Sequence, residues 1–237
     1  MKKVRVAQCW DDGVFTDIRL TGILRKYHAK ATFNLCSGLT GDSTEESYWF
    51  PHAKGNPRIY GNYPAMRSFY AGRIGKDRLR EVYSEFEVAS HCDMHENALT
   101  TEPGLFLESA LKSRRFLEEI FQKECRGFAW PYGTHTDETV QLLADAGFAY
   151  GRTTEVTDDV SSCTSSPLKL ATSCHFMDHR FWQKYDAAKE GSGVFYFWGH
   201  SFEMMDIEQF WKNFDFIISV ISNDPEAEWV NVIDLVQ

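Results

Sequence analysis

The chain has 237 residues, 43% of them hydrophobic, with 34 acidic against 25 basic side chains and a formal net charge of −9. That length supports one sizeable core, while the acidic balance, with basic runs no longer than Lys2-Lys3 and Arg114-Arg115, argues against a nucleic-acid partner. No stretch approaches the ~18 apolar residues of a membrane span, no apolar leader segment follows Met1-Lys2-Lys3, and Cys9, Cys36, Cys92, Cys125, Cys163 and Cys174 form no C-x-x-C pair; these features point to a cytoplasmic protein with reduced thiols and no membrane partner.

The chain alternates strand-like and helix-like segments. Val4, Val6 and Ala7 read as a buried strand, followed by a helix with Leu20, Ile23, Leu24 and Tyr27 on one face. Residues 30–35 and 86–89 read as strands. A helix opens near Pro103 and turns Leu107, Ala110, Leu111, Leu117 and Phe121 inward. Gly127-Phe128-Ala129 is a short strand. Thr136 caps a helix bearing Val140, Leu143 and Ala144, which stops at Gly147. Phe148-Ala149-Tyr150 reads as the next strand, Leu168 to Ala171 as another, and Val194 to Trp198 as a strongly apolar one. Asp206 with Gln209 predicts a capping box on a helix lined by Ile207, Phe210, Phe214, Ile217, Ile218 and Ile221; Trp229 to Ile233 reads as a final strand. Strands alternating with helices imply a parallel sheet with helices outside it, and seven or so such units imply a closed or nearly closed α/β barrel, a single domain over residues 1–237. An aromatic-rich insertion at about 37–75 (Tyr48, Trp49, Phe50, Tyr60, Tyr63, Phe69, Tyr70) interrupts the pattern; a loop that long is either functional or a surface insertion packed by its aromatics.

The polar residues of interest sit where strands end, the end at which α/β barrels assemble their sites. Asp11-Asp12-Gly13 places two adjacent carboxylates after the first strand; its alternative reading is an ordinary turn. His91 and His95 are four apart, a spacing that puts two imidazoles on one face of a helical turn, although paired surface histidines share it. Pro131-Tyr132-Gly133 can aim peptide nitrogens at one spot. His200 ends the strongest apolar strand, where an imidazole with an ordinary pKa near 6.5 can exchange protons. Together the four suffice for metal-assisted amide hydrolysis.

This set resembles the polysaccharide deacetylase (NodB-homology) family. Asp11-Asp12-Gly13 is similar to its first motif, His91 to His95 to its second, Ala129-Trp130-Pro131-Tyr132-Gly133 to its third, His200 to its last, and Lys30-Ala31-Thr32-Phe33 to its second strand. The resemblance implies a distorted (β/α)7 barrel; Asp12, His91 and His95 as ligands of one divalent metal, zinc foremost, with cobalt, nickel or iron as alternatives; Asp11 as general base; the Tyr132 N–H at the oxyanion; and His200 as the acid that protonates the leaving amine. Asp178, Glu203 and Asp206 are the candidate carboxylates for the other nitrogen of His200. The implied activity removes an acetyl group from the amide nitrogen of an amino sugar or oligosaccharide. Hydrolysis of a non-sugar amide or cyclic ureide, or an inactive sugar-binding module, are the alternatives. Three departures stand out. Ala129 replaces the family arginine that pairs with the base, leaving Arg126 or Arg152 to substitute; Glu96 replaces the proline after the second histidine; and no Asp-x-x-Asp-Trp motif is present, residues 172–178 lying about where it belongs.

Overall fold

The computed structural model describes residues 3–44, 72–191 and 193–237; the aromatic centre of the insertion, Tyr48 to Tyr70, lies outside the described residues. The strands are β1 (Val4–Asp11), β2 (Thr32–Leu35), β3 (Glu87–Ser90), β4 (Gly127–Ala129), β5 (Tyr150–Val156), β6 (Leu170–Thr172), β7 (Cys174–His175), β8 (Val194–Gly199) and β9 (Ala227–Trp229). All pair in parallel, in the order β6-β5-β4-β3-β2-β1-β8-β7, with β9 attached to β1. The two ends of that path, β6 and β7, are separated only by Ser173. The Ser173 N–H donates to the Tyr196 carbonyl at 2.6 Å, and its hydroxyl accepts the Tyr196 N–H at 3.1 Å. With β6 and β7 taken as one bent stave, the ring has the seven staves expected of a nearly closed (β/α)7 barrel.

Side-chain alternation along β1 separates two apolar layers. Val4, Val6 and Trp10 pack outward against helices, while Ala7 and Cys9 face a barrel interior shared with Ala89, Tyr150 and Tyr196. Trp10 is fully buried, with the rings of Phe176 and Phe214 each 5.1 Å away, which pins the end of β1 that carries the carboxylates.

The helices are α1 (Asp17–Lys26), α2 (Leu79–Tyr83), α3 (Pro103–Phe121), α4 (Asp137–Asp145), α5 (Phe181–Glu190) and α6 (Glu208–Asn223). The Glu102 side chain caps α3 through the Gly104 and Leu105 N–H groups, and Thr136 and Thr139 cap α4 reciprocally. Several expectations need correction. The inward face of α3 is Phe106, Ser109, Ala110, Ser113, Leu117 and Phe121, with Leu107 and Leu111 only partly buried. Ala144 is exposed. The fifth strand starts at Tyr150, because Gly147 (φ +80°) ends the α4 turn and Phe148 is spent on packing. The strand expected at 168–171 begins at Leu170, after a 3-10 turn over Pro167–Lys169. No Asp206–Gln209 box forms: α6 starts at Glu208, Ile207 is its exposed N-cap, and Gln209 bonds Asn213 instead. The last strand is Ala227–Trp229, and Ile233 begins a 3-10 turn.

Candidate active site

Alternation along β1 points Asp11 into the barrel mouth, and a continued strand would send Asp12 the opposite way. Asp12 instead takes φ +82°, with its N–H bonded to the Asn34 carbonyl at 2.9 Å, so both carboxylates line one cleft. Gly13 continues the turn at φ +65°. His91 and His95 are brought together without the expected helical turn: left-handed backbone at Cys92 (φ +63°) and His95 (φ +60°) folds the loop back. Tyr132 is likewise left-handed (φ +59°). Non-glycine residues in this region are costly and collect at functional sites. The second loop is braced from below. Ser37 and Lys112 both bond the Asp93 carboxylate at 2.6 Å. Glu96, in place of the proline, accepts from the Met94 N–H at 3.0 Å and the Ser109 hydroxyl at 2.6 Å.

Asp12, His91 and His95 converge: Asp12 Oδ1 lies 3.9 Å from His91 Nε2 and 3.7 Å from His95 Nε2. His91 Nδ1 meets the Ala129 carbonyl at 2.8 Å. A carbonyl only accepts, so the proton sits on Nδ1 and the Nε2 lone pair faces Asp12. Burial, foremost, lowers the His91 pKa to about 4 and lowers that of His95, so both imidazoles are neutral at working pH. Burial pushes the Asp12 carboxyl up, but the positive charges of Arg73 and of protonated His200 outweigh it and hold it below the usual range. Asp12 Oδ1 is nonetheless buried without a hydrogen-bond partner among the described residues. An ionised carboxylate oxygen left bare between two neutral imidazoles is the donor set of a divalent cation, and the three residues fit one.

Asp11 is arranged differently. The Arg152 guanidinium bonds both of its oxygens, and Asn34 Nδ2 donates to Oδ1 at 2.7 Å. Arg152, itself fully buried, stands on β5 in register with Ala129 on β4. On parallel neighbours, register partners face the same side, so the guanidinium reaches the base from the adjacent stave. Arg126 lies elsewhere, 4.0 Å from Glu124. Burial opposes ionisation of Asp11, but Arg152, protonated His200 and the Asn34 bond hold its pKa well below the carboxylate range.

His200 Nε2 is 3.8 Å from Asp11 Oδ2. Of the candidate carboxylates it is Glu203 that backs it: Oε2 accepts the His200 backbone N–H at 2.9 Å, His175 Nε2 stands 3.0 Å from the same oxygen, and His200 Nδ1 lies 3.6 Å away. Burial pulls the His200 pKa down, but Glu203, Asp11 and Asp12 raise it to about 9. The ring contacts Phe202 and Trp198, at 4.9 and 5.6 Å between centroids. Gly199 is required just before it, since a Cβ there would stand 2.2 Å from the Phe176 ring.

The cleft has a volume of about 310 Å³, and Asp11, Asp12, His91, His95, Tyr132 and His200 all line it together with Arg73, Arg152 and Trp198. Sequence reasoning missed Asn34, Arg73, Glu203's partner His175, and Cys36. Asn34 was detectable as the one amide side chain in a short buried strand; His175 falls in the stretch where the family's missing motif belongs.

The family profile described as polysaccharide deacetylase matches residues 1–151, well over half of the chain. The chain belongs to the polysaccharide deacetylase family. A poly-β-1,6-N-acetyl-D-glucosamine N-deacetylase of Staphylococcus aureus (strain MRSA252) is 31% identical over 142 residues, covering 47% of this chain and 49% of the relative. The chain therefore spans about half the length of the curated relatives it matches. Among solved structures, a Mycobacterium smegmatis protein assigned to the polysaccharide deacetylases superposes with a TM-score of 0.63 at 14% identity, covering 100% of this chain and 91% of that one. A family 4 acetyl xylan esterase from Clostridium thermocellum, in complex with a cobalt ion, gives 0.52 at 14% identity, covering 98% and 89%. At these identities the likeness shows the fold alone. No helix among the described residues is long and apolar enough to cross a membrane.

Proposed function

We propose that this chain is a metal-dependent hydrolase that removes the acetyl group from the amide nitrogen of an amino sugar, alone or within an oligosaccharide. Asp12, His91 and His95 hold one divalent ion, zinc or a metal of similar preference. When bound, that ion supplies Lewis acidity to the acyl oxygen and to water. Asp11, kept ionised by Arg152 and Asn34, takes the proton of the attacking water. Its low proton affinity also lets it release that proton readily. The left-handed Tyr132 presents its backbone N–H toward the oxygen on which negative charge develops. His200 carries its proton into neutral solution and delivers it to the departing nitrogen, since an amine leaves poorly as an anion. Glu203, itself bonded by His175, stands 3.6 Å from Nδ1 of that imidazole as its counter-charge.

The observation that carries this reading is the bare, buried Asp12 Oδ1 between two neutral imidazoles, one residue from a carboxylate locked in its ionised form. A sugar substrate is supported by the exposed Tyr132 ring at the mouth, with Trp198 and Phe202 lining the same cleft, since aromatic faces suit the C–H faces of pyranoses. The test is metal content after exhaustive dialysis. The protein should retain about one equivalent of zinc, and His91→Ala should retain little. Equal retention by both would reject the ligand set.

A further inference from the structure

We propose that Cys36 is a fourth protein donor to the metal of this cleft, an inference that rests on the metal site just described. Cys36 directly follows β2, at the same barrel end as Asp12 and His91, and is 1% exposed. Its Sγ, a carboxylate oxygen of Asp12 and a ring nitrogen of His91 all lie within 4.8 Å of one another, and all three residues are buried. In a tetrahedral centre with bonds of about 2.0–2.3 Å, donors stand about 3.3–3.8 Å apart. The Asp12–His91 separation is 3.9 Å, and Cys36 Sγ lies within 4.8 Å of a donor atom of each, close to the separation such a set requires.

The thiol's present partner is the His91 backbone carbonyl at 3.1 Å, a weak S–H bond that costs little to give up. The Asp12 side chain is 5% exposed and its Oδ1 has no partner among the described residues, so a polar atom is already aimed into this space. Other cysteines are placed differently. Cys9 accepts the Tyr196 hydroxyl inside the barrel, and Cys125 meets the Val88 carbonyl. A bound cation deprotonates a coordinating thiol outright. A thiolate is a soft donor. It biases the site toward zinc and cobalt(II) and against magnesium and manganese, which prefer oxygen. With four protein donors, expansion to six-coordination keeps one position for water and one for the acyl oxygen, as cobalt(II) readily allows.

Cobalt(II) titration of the whole chain separates the possibilities. The wild-type protein should show visible d–d bands together with a near-ultraviolet sulfur-to-cobalt charge-transfer band. Cys36→Ser and Cys36→Ala should lose the near-ultraviolet band, keep the visible ones and bind cobalt(II) more weakly; Cys92→Ser should keep both bands. Visible bands without the near-ultraviolet band in wild type would leave the Asp12, His91 and His95 site standing and overturn the role of Cys36. A charge-transfer band that survives Cys36→Ser would do the same. Absence of any cobalt spectrum would remove the metal site itself. Should the variants fail to fold, X-ray absorption on zinc-loaded wild type decides: one sulfur at about 2.3 Å is expected, and a shell of nitrogen and oxygen alone is the contrary result.

Discussion

Arg152→Ala removes the cation that both oxygens of Asp11 face. The carboxylate is 3% exposed and would keep only the Asn34 amide and the nearby imidazoles as support. Breaking a buried pair by deleting one partner costs about 3–5 kcal/mol, because the other charge is left uncompensated. For a chain of this size each kcal/mol is worth about 2–4 °C, so the melting temperature should fall by roughly 6–20 °C. The sign of the pH dependence follows from Asp11. In the wild-type fold its pKa is depressed, so the pair stabilises the protein above the ordinary carboxylate range and that stability is lost as pH falls through the depressed value. Without Arg152, burial dominates and raises the carboxyl, so the variant's deficit should be larger at pH 8 than at pH 5. A protonated Asp11 is no base, and kcat/KM should drop by about 100-fold or more. Adding Ala129→Arg on the neighbouring stave should recover part of both losses, since position 129 faces the same side. Thermal unfolding monitored by circular dichroism at the two pH values, with kcat/KM on the acetylated substrate, reads each quantity. A variant that melts within about 2 °C of wild type and turns over normally would refute the assignment of Arg152 as the partner of the base.

Asp11→Asn should keep its metal by elemental analysis yet lose about 10²–10⁴-fold in kcat; unchanged turnover would transfer the base role elsewhere. His200→Ala should slow hydrolysis of an amide far more than that of an aryl ester with the same acyl group, whose leaving group needs no proton. Equal losses would mean that His200 shapes the cleft and does not donate the proton. Glu203→Gln removes the carboxylate that helps raise His200 to about 9. The acid works while protonated, so the alkaline fall in kcat at saturating metal should move to lower pH, and an unmoved limb would count against the pairing.

Motif order and element alternation were legible in the chain, because strand and helix periodicities are local. The Asp11-Asp12, His91/His95, Pro131-Tyr132-Gly133 and His200 segments all meet at one barrel mouth as expected. What was not legible depends on register and handed backbone. Arg152 could be named only as one of two options, since its pairing with Asp11 follows from the alignment of β5 with β4. The His91–His95 spacing suggested a helical turn, yet left-handed Cys92 and His95 bring the rings within 4.7 Å in a loop. His175 reaches Glu203 across 28 positions, from a two-residue strand that no periodicity could reveal. The seventh stave was obscured because Ser173 splits it. At Ile207 the amphipathic pattern overran the helix start by one residue.

The central claim, metal-dependent removal of acetyl from nitrogen, is tested most directly by acetate release. The zinc-loaded chain is incubated with oligomers of β-1,6- and β-1,4-linked N-acetylglucosamine, and acetate and new free amine are measured together. The two should appear in equal amounts, abolished by chelation and restored by added zinc or cobalt(II). Acetate release that is indifferent to chelation, or no release from any acetylated amino sugar by the fully metal-loaded chain, would contradict it.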